Sequence, residues 1–303
     1  MKSRIIFFII FFGLVGTLCD SRPALAQGTF HAGKVRHGLS LYEKFEGSGN
    51  SVAIAFDTNT SIGYDFTNHF GADVGVPVYF VTPPPASKLI ASQSNGFGDV
   101  YTDFRFTLNN PLFDFTSTPS FAFPTGNTSK GFSTGHIGVS WDNEFERSFG
   151  RFTPFLGVVP GNGLNSVTNP RTRVVHRSIV TFGKEAQFTA GTDIDLFGPF
   201  SVNVDAYDVE PWGQQEIFSR TLKKTTVTVN GVNQVRYSAV NSITKGGANL
   251  VKDNGYDAAI DAKLKRYILV EVGYDYSVQY VAGTVYFSVG FDLSKFLSRG
   301  PIY

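Results

Sequence analysis

Two kinds of side chain in this 303-residue sequence could do chemistry: a histidine–serine pair and a large set of carboxylates. His176 stands two residues before Ser178. A serine hydroxyl becomes a nucleophile when an imidazole takes its proton and a third group fixes the ring's tautomer. That third group is wanting, because the chain continues Ile179-Val180 and the nearest carboxylate, Glu185, falls on the polar side of the next alternating run. The pair therefore reads as part of a basic surface loop, with a membrane-embedded lipid hydrolase as the rival it would support. His31 and His37 have no cysteine or acidic residue between them, so no metal site is expected there. No glycine-rich phosphate loop occurs between a strand and a helix, and neither cofactor nor catalytic residue is expected.

The carboxylates are more informative. The polar sides of the alternating runs gather Asp57, Asp65, Asp73, Asp99, Asp103, Asp142, Glu144, Glu185, Asp193, Asp195, Asp205, Asp257, Asp261, Glu271, Asp275 and Asp292, accompanied by only Arg105 and Lys263. Some of these would cap strand ends or pair near a mouth. The rest, lining one surface, would repel anions and favour cations and neutral polar solutes. Asp103, Arg105, Glu185, Asp193, Asp205, Asp261 and Glu271 are the candidate selectivity residues. Tyr79, Tyr101, Tyr207 and Tyr286 share their side, where they could stack on a ring-bearing solute or simply fill a narrow barrel.

The elements that must position these residues are strands. In "GTVYFSVGFDL" (283–293), Val285, Phe287, Val289, Phe291 and Leu293 fall on one side and Thr284, Tyr286, Ser288, Gly290 and Asp292 on the other. Period-2 alternation of this kind predicts twelve strands, at about 39–47, 51–66, 70–81, 98–108, 115–124, 134–145, 151–160, 182–196, 199–210, 254–264, 267–279 and 282–293. Most exceed the roughly five or six residues usual in globular sheets and match the roughly 9–11 that a tilted strand needs to cross a bilayer.

Connections sort by parity. Those near 67–69, 109–111, 147–150, 197–198 and 265–266 are short, whereas 82–97, 125–133, 161–181 and 211–253 are long. Short turns at one end and long loops at the other mark an outer-membrane barrel with periplasmic turns. A soluble sandwich or lipocalin-like barrel has no reason to sort its loops this way. Within 211–253, Asn230-Gly231 joins two alternating runs and predicts a hairpin of about 225–229 with 232–237. Lys223, Lys224 and Arg236 argue that it stands outside the membrane, although two more spanning strands would also preserve parity and make fourteen.

Composition agrees. Apolar residues make up 42% and charged residues only 17%, with 30 Phe, 13 Tyr and 32 Gly. Lys2 and Arg4, the apolar run Ile5 to Leu18, and Ala24-Leu25-Ala26 predict a cleaved signal peptide over 1–26. The sole cysteine, Cys19, lies within it, so the mature chain is expected to be exported and free of disulfides. Its removal leaves 23 basic and 24 acidic residues, which points to no polyanionic partner. The expected organisation is a periplasmic segment over 27–38, a barrel over 39–296 and a tail over 297–303.

Three stretches resemble a known family. "GFGDVYTDFRF" (96–106), "SFAFPTGNTSKGFSTGHIGVSW" (120–141) and "SVNVDAYDVEPWG" (201–213) are similar to the MetA-pathway-of-phenol-degradation family of outer-membrane barrels. Fatty-acid and aromatic-hydrocarbon transporters are more distant relatives of that family. The marks are a Gly-Asp pair opening a strand, a Pro-Thr-Gly ending one, and a Gly-rich return into the next. The resemblance implies a non-enzymatic channel for small molecules, including hydrophobic or aromatic ones, without catalytic residues. Only residues 27–38 precede the first strand, where fatty-acid transporters carry a long plug. The loop cations Arg171, Arg173, Arg177, Arg220, Lys223, Lys224, Arg236, Lys245 and Lys252 are placed to meet the phosphates of outer-leaflet lipopolysaccharide. An antiparallel transmembrane β-barrel with an acidic lumen is the resulting expectation.

Overall fold

The computed structural model describes residues 38–49, 54–82, 94–164, 180–229, 232–265 and 267–293. The expected signal peptide and C-terminal tail, His31, His37, the His176–Ser178 pair, Arg171, Arg173 and the Asn230-Gly231 turn lie outside these residues.

Twelve antiparallel strands close into a barrel. In chain order they are β1 (Gly38–Gly49), β2 (Ile54–Asp65), β3 (Phe70–Thr82), β5 (Val100–Asn109), β6 (Asp114–Phe123), β7 (Gly138–Glu146), β8 (Phe152–Gly161), β10 (Glu185–Asp195), β11 (Phe200–Pro211), β14 (Asp253–Lys265), β15 (Ile268–Ser277) and β16 (Ala282–Asp292). Each pairs with its neighbour, and β1 with β16 closes the ring, Phe45 opposite Val289. Closure removes the edges that an open sheet would expose to lipid. Four shorter or outer strands complete the sheets: β4 (Ser94–Phe97), β9 (Val180–Phe182), β12 (Gln215–Val229) and β13 (Val232–Gly246).

The short turns are built by local side-chain chemistry. Thr67 Oγ1 accepts from His69 N at 3.1 Å and Phe70 N at 2.9 Å, and Asn110 Oδ1 accepts from Leu112 N at 2.8 Å and Phe113 N at 3.1 Å. These side chains stand in for ladder partners where the strand reverses. Gly150 (φ 66°) and Gly198 (φ 59°) take left-handed backbone in the next two turns. All lie at one end of the barrel, as loop parity predicts.

Strand bounds differ from the sequence-based ones in two instructive places. The strand expected from 98 begins at 100, because Gly98 and Asp99 fall between it and β4, a separate short strand that continues the pairing with β3. The strand expected from 134 begins at 138, because residues 124–137 turn into the mouth. The expected hairpin is present and far longer, Gln215 opposite Gly246 up to Val229 opposite Val232. It is no part of the barrel, so the count is twelve. β12 pairs with β9 as β11 pairs with β10. The three-stranded piece β9–β12–β13 thus continues the β10–β11–β14 wall beyond the barrel.

The two faces of the wall are inverted relative to a soluble protein. Large apolar side chains such as Ile62, Val74, Phe104, Leu156, Phe188, Ile260, Val272 and Val285 are exposed outward. Inward positions are buried and polar, among them Ser61, Asp73, Ser120, Thr153, Asp193, Asp261 and Ser288. Period-2 alternation places one set in lipid and the other in the lumen.

Candidate functional site: an acidic lumen with a filled mouth

The carboxyls singled out from the sequence take the inward positions of their strands, except Asp99, which lies buried between β4 and β5. Asp103 faces Asp73 across β5 and β3. Asp205, Asp257 and Asp275 stand abreast on β11, β14 and β15, and Asp261 faces Glu271. Like charges placed opposite one another repel, so this wall holds a concentrated negative field.

Several groups moderate it. Arg105 pairs with Asp65 and, at 3.4 Å, with Asp73, bridging β5, β3 and β2 near the short-turn end. Asn203 Nδ2 donates to Asp193 Oδ1 at 2.7 Å and Ser288 Oγ to Glu271 Oε2 at 2.8 Å. Glu185 is fully buried at the opposite end, where Thr181 Oγ1 donates to its Oε1 at 2.7 Å. The predicted selectivity residues therefore share one surface but not one level: Arg105 and Asp193 lie low, Glu185 high. Lys263 also faces inward.

Sequence reasoning missed Lys44 and Glu46. Both face the lumen from β1, 2.9 Å apart. The signal was available in Ser40, Tyr42, Lys44 and Glu46, four like-parity polar or amphipathic residues. It was blurred by Glu43, which sits on the outer face between Leu41 and Phe45 and accepts a hydrogen bond from Thr60 Oγ1 at 2.5 Å.

The inward tyrosines lie flat along the wall, each across a glycine. Tyr101 covers Gly75, and its hydroxyl donates to Asn59 Oδ1 at 2.7 Å. Tyr286 covers Gly273 and donates to Asp257 Oδ1 at 2.8 Å. Tyr207 covers Gly255, where a Cβ would come within 2.6 Å of the phenol oxygen. The glycine seats let each ring reach past the adjacent strand. Tyr101 and Tyr286, at 0% and 2% exposure, are closed off from solvent, so they narrow the lumen.

At the mouth Tyr79 is stacked on Phe132, centroids 5.8 Å apart and planes 14° apart. Phe132 comes from residues 124–137, the Pro-Thr-Gly and Gly-rich return. Thr125 Oγ1 accepts from Val100 N at 2.9 Å, and Asp99 Oδ1 accepts from Gly126 N at 3.0 Å. Those two bonds turn the chain inward at the β4–β5 joint. Among the described residues no three His, Cys, Asp or Glu side chains are placed to hold a metal ion.

No family model matches the chain, and no curated protein sequence matches it. Solved structures do. The COG4313 outer membrane channel from Pseudomonas putida F1 is 10% identical, with 89% of this chain and 100% of that one covered at a TM-score of 0.50. The KdgM porin in complex with disordered oligogalacturonate is 11% identical over 83% and 98% of the two chains, at 0.45. The NanC porin is 8% identical over 83% and 98%, at 0.46. The chain has the fold of an outer-membrane β-barrel, and its apolar outer wall fits it to the bacterial-type outer membrane.

Proposed function

We propose that the chain is a passive channel that admits small cations and neutral polar molecules across the outer membrane. The observation carrying this reading is the inner wall: carboxyls on most strands, against Lys44, Arg105 and Lys263 among the described residues. In a low-dielectric wall such a field raises the local concentration of cations and excludes anions. The tyrosines over Gly75, Gly255 and Gly273 are packed against the wall and hold the bore narrow, and ring-bearing or hydrophobic solutes are the substrate type that the family resemblance implies. Support for that resemblance lies in its marked stretches, since the Gly98-Asp99 and Thr125-Gly126 pairs build the β4–β5 joint. Lys245 and Lys252 are exposed at the rim, each beside a glutamate, so holding lipopolysaccharide phosphates would require them to exchange that partner.

Reversal potentials across a salt gradient in planar bilayers test the reading. Cation preference is expected, and neutralising Asp103, Glu185, Asp205 and Glu271 together should weaken it. Anion preference in the unmodified protein overturns it. One observation favours a second reading, a closed structural barrel: Tyr101, Asp103 and Tyr286 are buried from solvent inside the lumen. Absence of any conductance would select it.

A further inference from the structure

We propose that Phe132 is the residue that sets the size limit of the channel, acting as a ring inserted into the mouth from the β6–β7 connection. The proposal rests on the channel reading above. A connection of this length on an outer-membrane barrel ordinarily projects into solvent. Here it turns inward, and Phe132 is only 2% exposed.

The ring has a built seat. One face lies on Tyr79, an inward residue close to the loop end of β3. Its edge lies over Gly96, where a Cβ would approach Phe132 Cδ2 to 2.8 Å. Tyr79 in turn lies over Gly98, where a Cβ would approach its ring to 2.5 Å. Gly126 closes the seat from behind: a Cβ there would meet Phe132 O at 2.6 Å and Gly98 C at 2.9 Å. Gly96 and Gly98 thus make room for two stacked rings against one side of the wall, and Gly126 lets the backbone pass close behind them.

The segment carrying the ring is pinned at both ends. On the β5 side it is held by the Thr125 and Asp99 hydrogen bonds already described. Its middle is a single 3-10 turn, Thr128–Lys130, capped by Asn127 Oδ1 accepting from Lys130 N at 3.0 Å and ended by Gly131 at φ 74°. Phe132 N then donates to Asn127 O at 3.0 Å, which fixes where the ring points. Across the mouth the turn lies against β13, and His136 stacks on Phe182 of β9 at 4.5 Å and 17°. The segment therefore crosses from the β3–β5 wall to the outer strands above β10 and β14. The crossing lies over the lumen, and Phe132, packed with Tyr79 beneath it, is the ring that fills that side of the mouth.

Removing the ring opens a slot of about one benzene ring beside Tyr79 without touching a membrane-spanning strand. Unitary conductance and liposome uptake of a mono-, a di- and a trisaccharide should be measured for the unmodified protein, Phe132→Ala and Phe132→Trp. Phe132→Ala should raise conductance and shift the uptake cut-off toward the larger sugar, while Phe132→Trp should shift both the other way. A Phe132→Ala protein that folds, as judged by its heat-modifiable gel mobility, yet keeps the original conductance and cut-off overturns the proposal. If Phe132→Ala does not fold, Phe132→Leu, which keeps apolar bulk and loses the ring, carries the same comparison. A silent unmodified protein with a conducting Phe132→Ala supports the proposal. Silence of every form overturns the channel reading itself and the size-limit proposal with it.

Discussion

The β10–β11–β14 wall and its continuation β9–β12–β13 belong to two antiparallel sheets, yet one runs on from the other, and their outward side chains differ in kind. Below the joint the outward positions are Phe188, Ala190, Ile194, Val202, Val204 and Ile260. At the joint and above it, ion pairs appear: Glu210 with Lys252 at the boundary and Glu216 with Lys245 beyond it, each at 2.5 Å. Thr226, Thr228, Ser242 and Thr244 are exposed there. The joint itself is pinned by Gln215, whose Nε2 donates to Lys184 O at 2.8 Å and Trp212 O at 3.0 Å. Backbone pairing is indifferent to the membrane boundary. The outward side chains set it, because a charge facing hydrocarbon costs several times what a charge facing water does.

The largest test of this contrast is a charge on each half. Ile260 lies midway along β14, half exposed on the outer face. Arginine there should destabilise the folded barrel by about 2–4 kcal/mol in folding titrations into lipid. Arginine at Thr226, exposed on β12, should change stability by no more than about 0.5 kcal/mol. Equal costs would mean that the outer strands also contact lipid.

A second test uses one glycine from each half. A Cβ on Gly255 of β14 would run into Tyr276 O, a backbone atom, and lie 2.6 Å from the hydroxyl of the buried Tyr207. Gly255→Ala should cost about 1–3 kcal/mol through overpacking. A Cβ on Gly246 of β13 would meet the Leu250 side chain, nearest at Cδ2, 3.1 Å away. Gly246→Ala should be close to neutral, and denaturant midpoints of the two variants give the comparison. A neutral Gly255→Ala would show that Tyr207 does not lie in this seat.

How much of this was legible in the sequence follows from range. Alternation is a local signal, so the strands and the inward parity of Asp103, Glu185, Asp205 and Asp261 could be read directly. Loop sorting placed the short turns at one end of the barrel, and Asn230-Gly231 predicted the hairpin. The hairpin's true length was hidden because Arg220, Lys223 and Lys224 interrupt β12, and only pairing with β13 and β9 shows a strand there. The insertion of Phe132 was hidden for another reason. Residues 124–137 have no period, and the ring is placed by Tyr79, Gly96 and Asp99, which only the closed barrel brings alongside. The glycine seats likewise need register: nothing in the sequence says that Gly273 lies opposite Tyr286.

The smallest expected effect sits at the boundary between the halves. Lys252 Nζ donates to Glu210 Oε1, and that hydrogen bond raises the ammonium pKa above its ordinary value. A raised pKa in the folded state means that the pair's stabilising contribution is complete below the ordinary lysine range. It is lost as pH climbs through the raised value. Both side chains are about half exposed, at 48% and 47%, so water and salt screen the attraction heavily. Lys252→Met should therefore leave the unfolding midpoint at neutral pH nearly unchanged. Any small difference at low ionic strength should vanish in about 1 M salt, where the screening length is roughly 3 Å. Chemical denaturation at two salt concentrations measures this. A loss comparable to that of Gly255→Ala, and insensitive to salt, would show that the rim pair is shielded from water, and that lipid reaches higher up the wall than the side chains indicate.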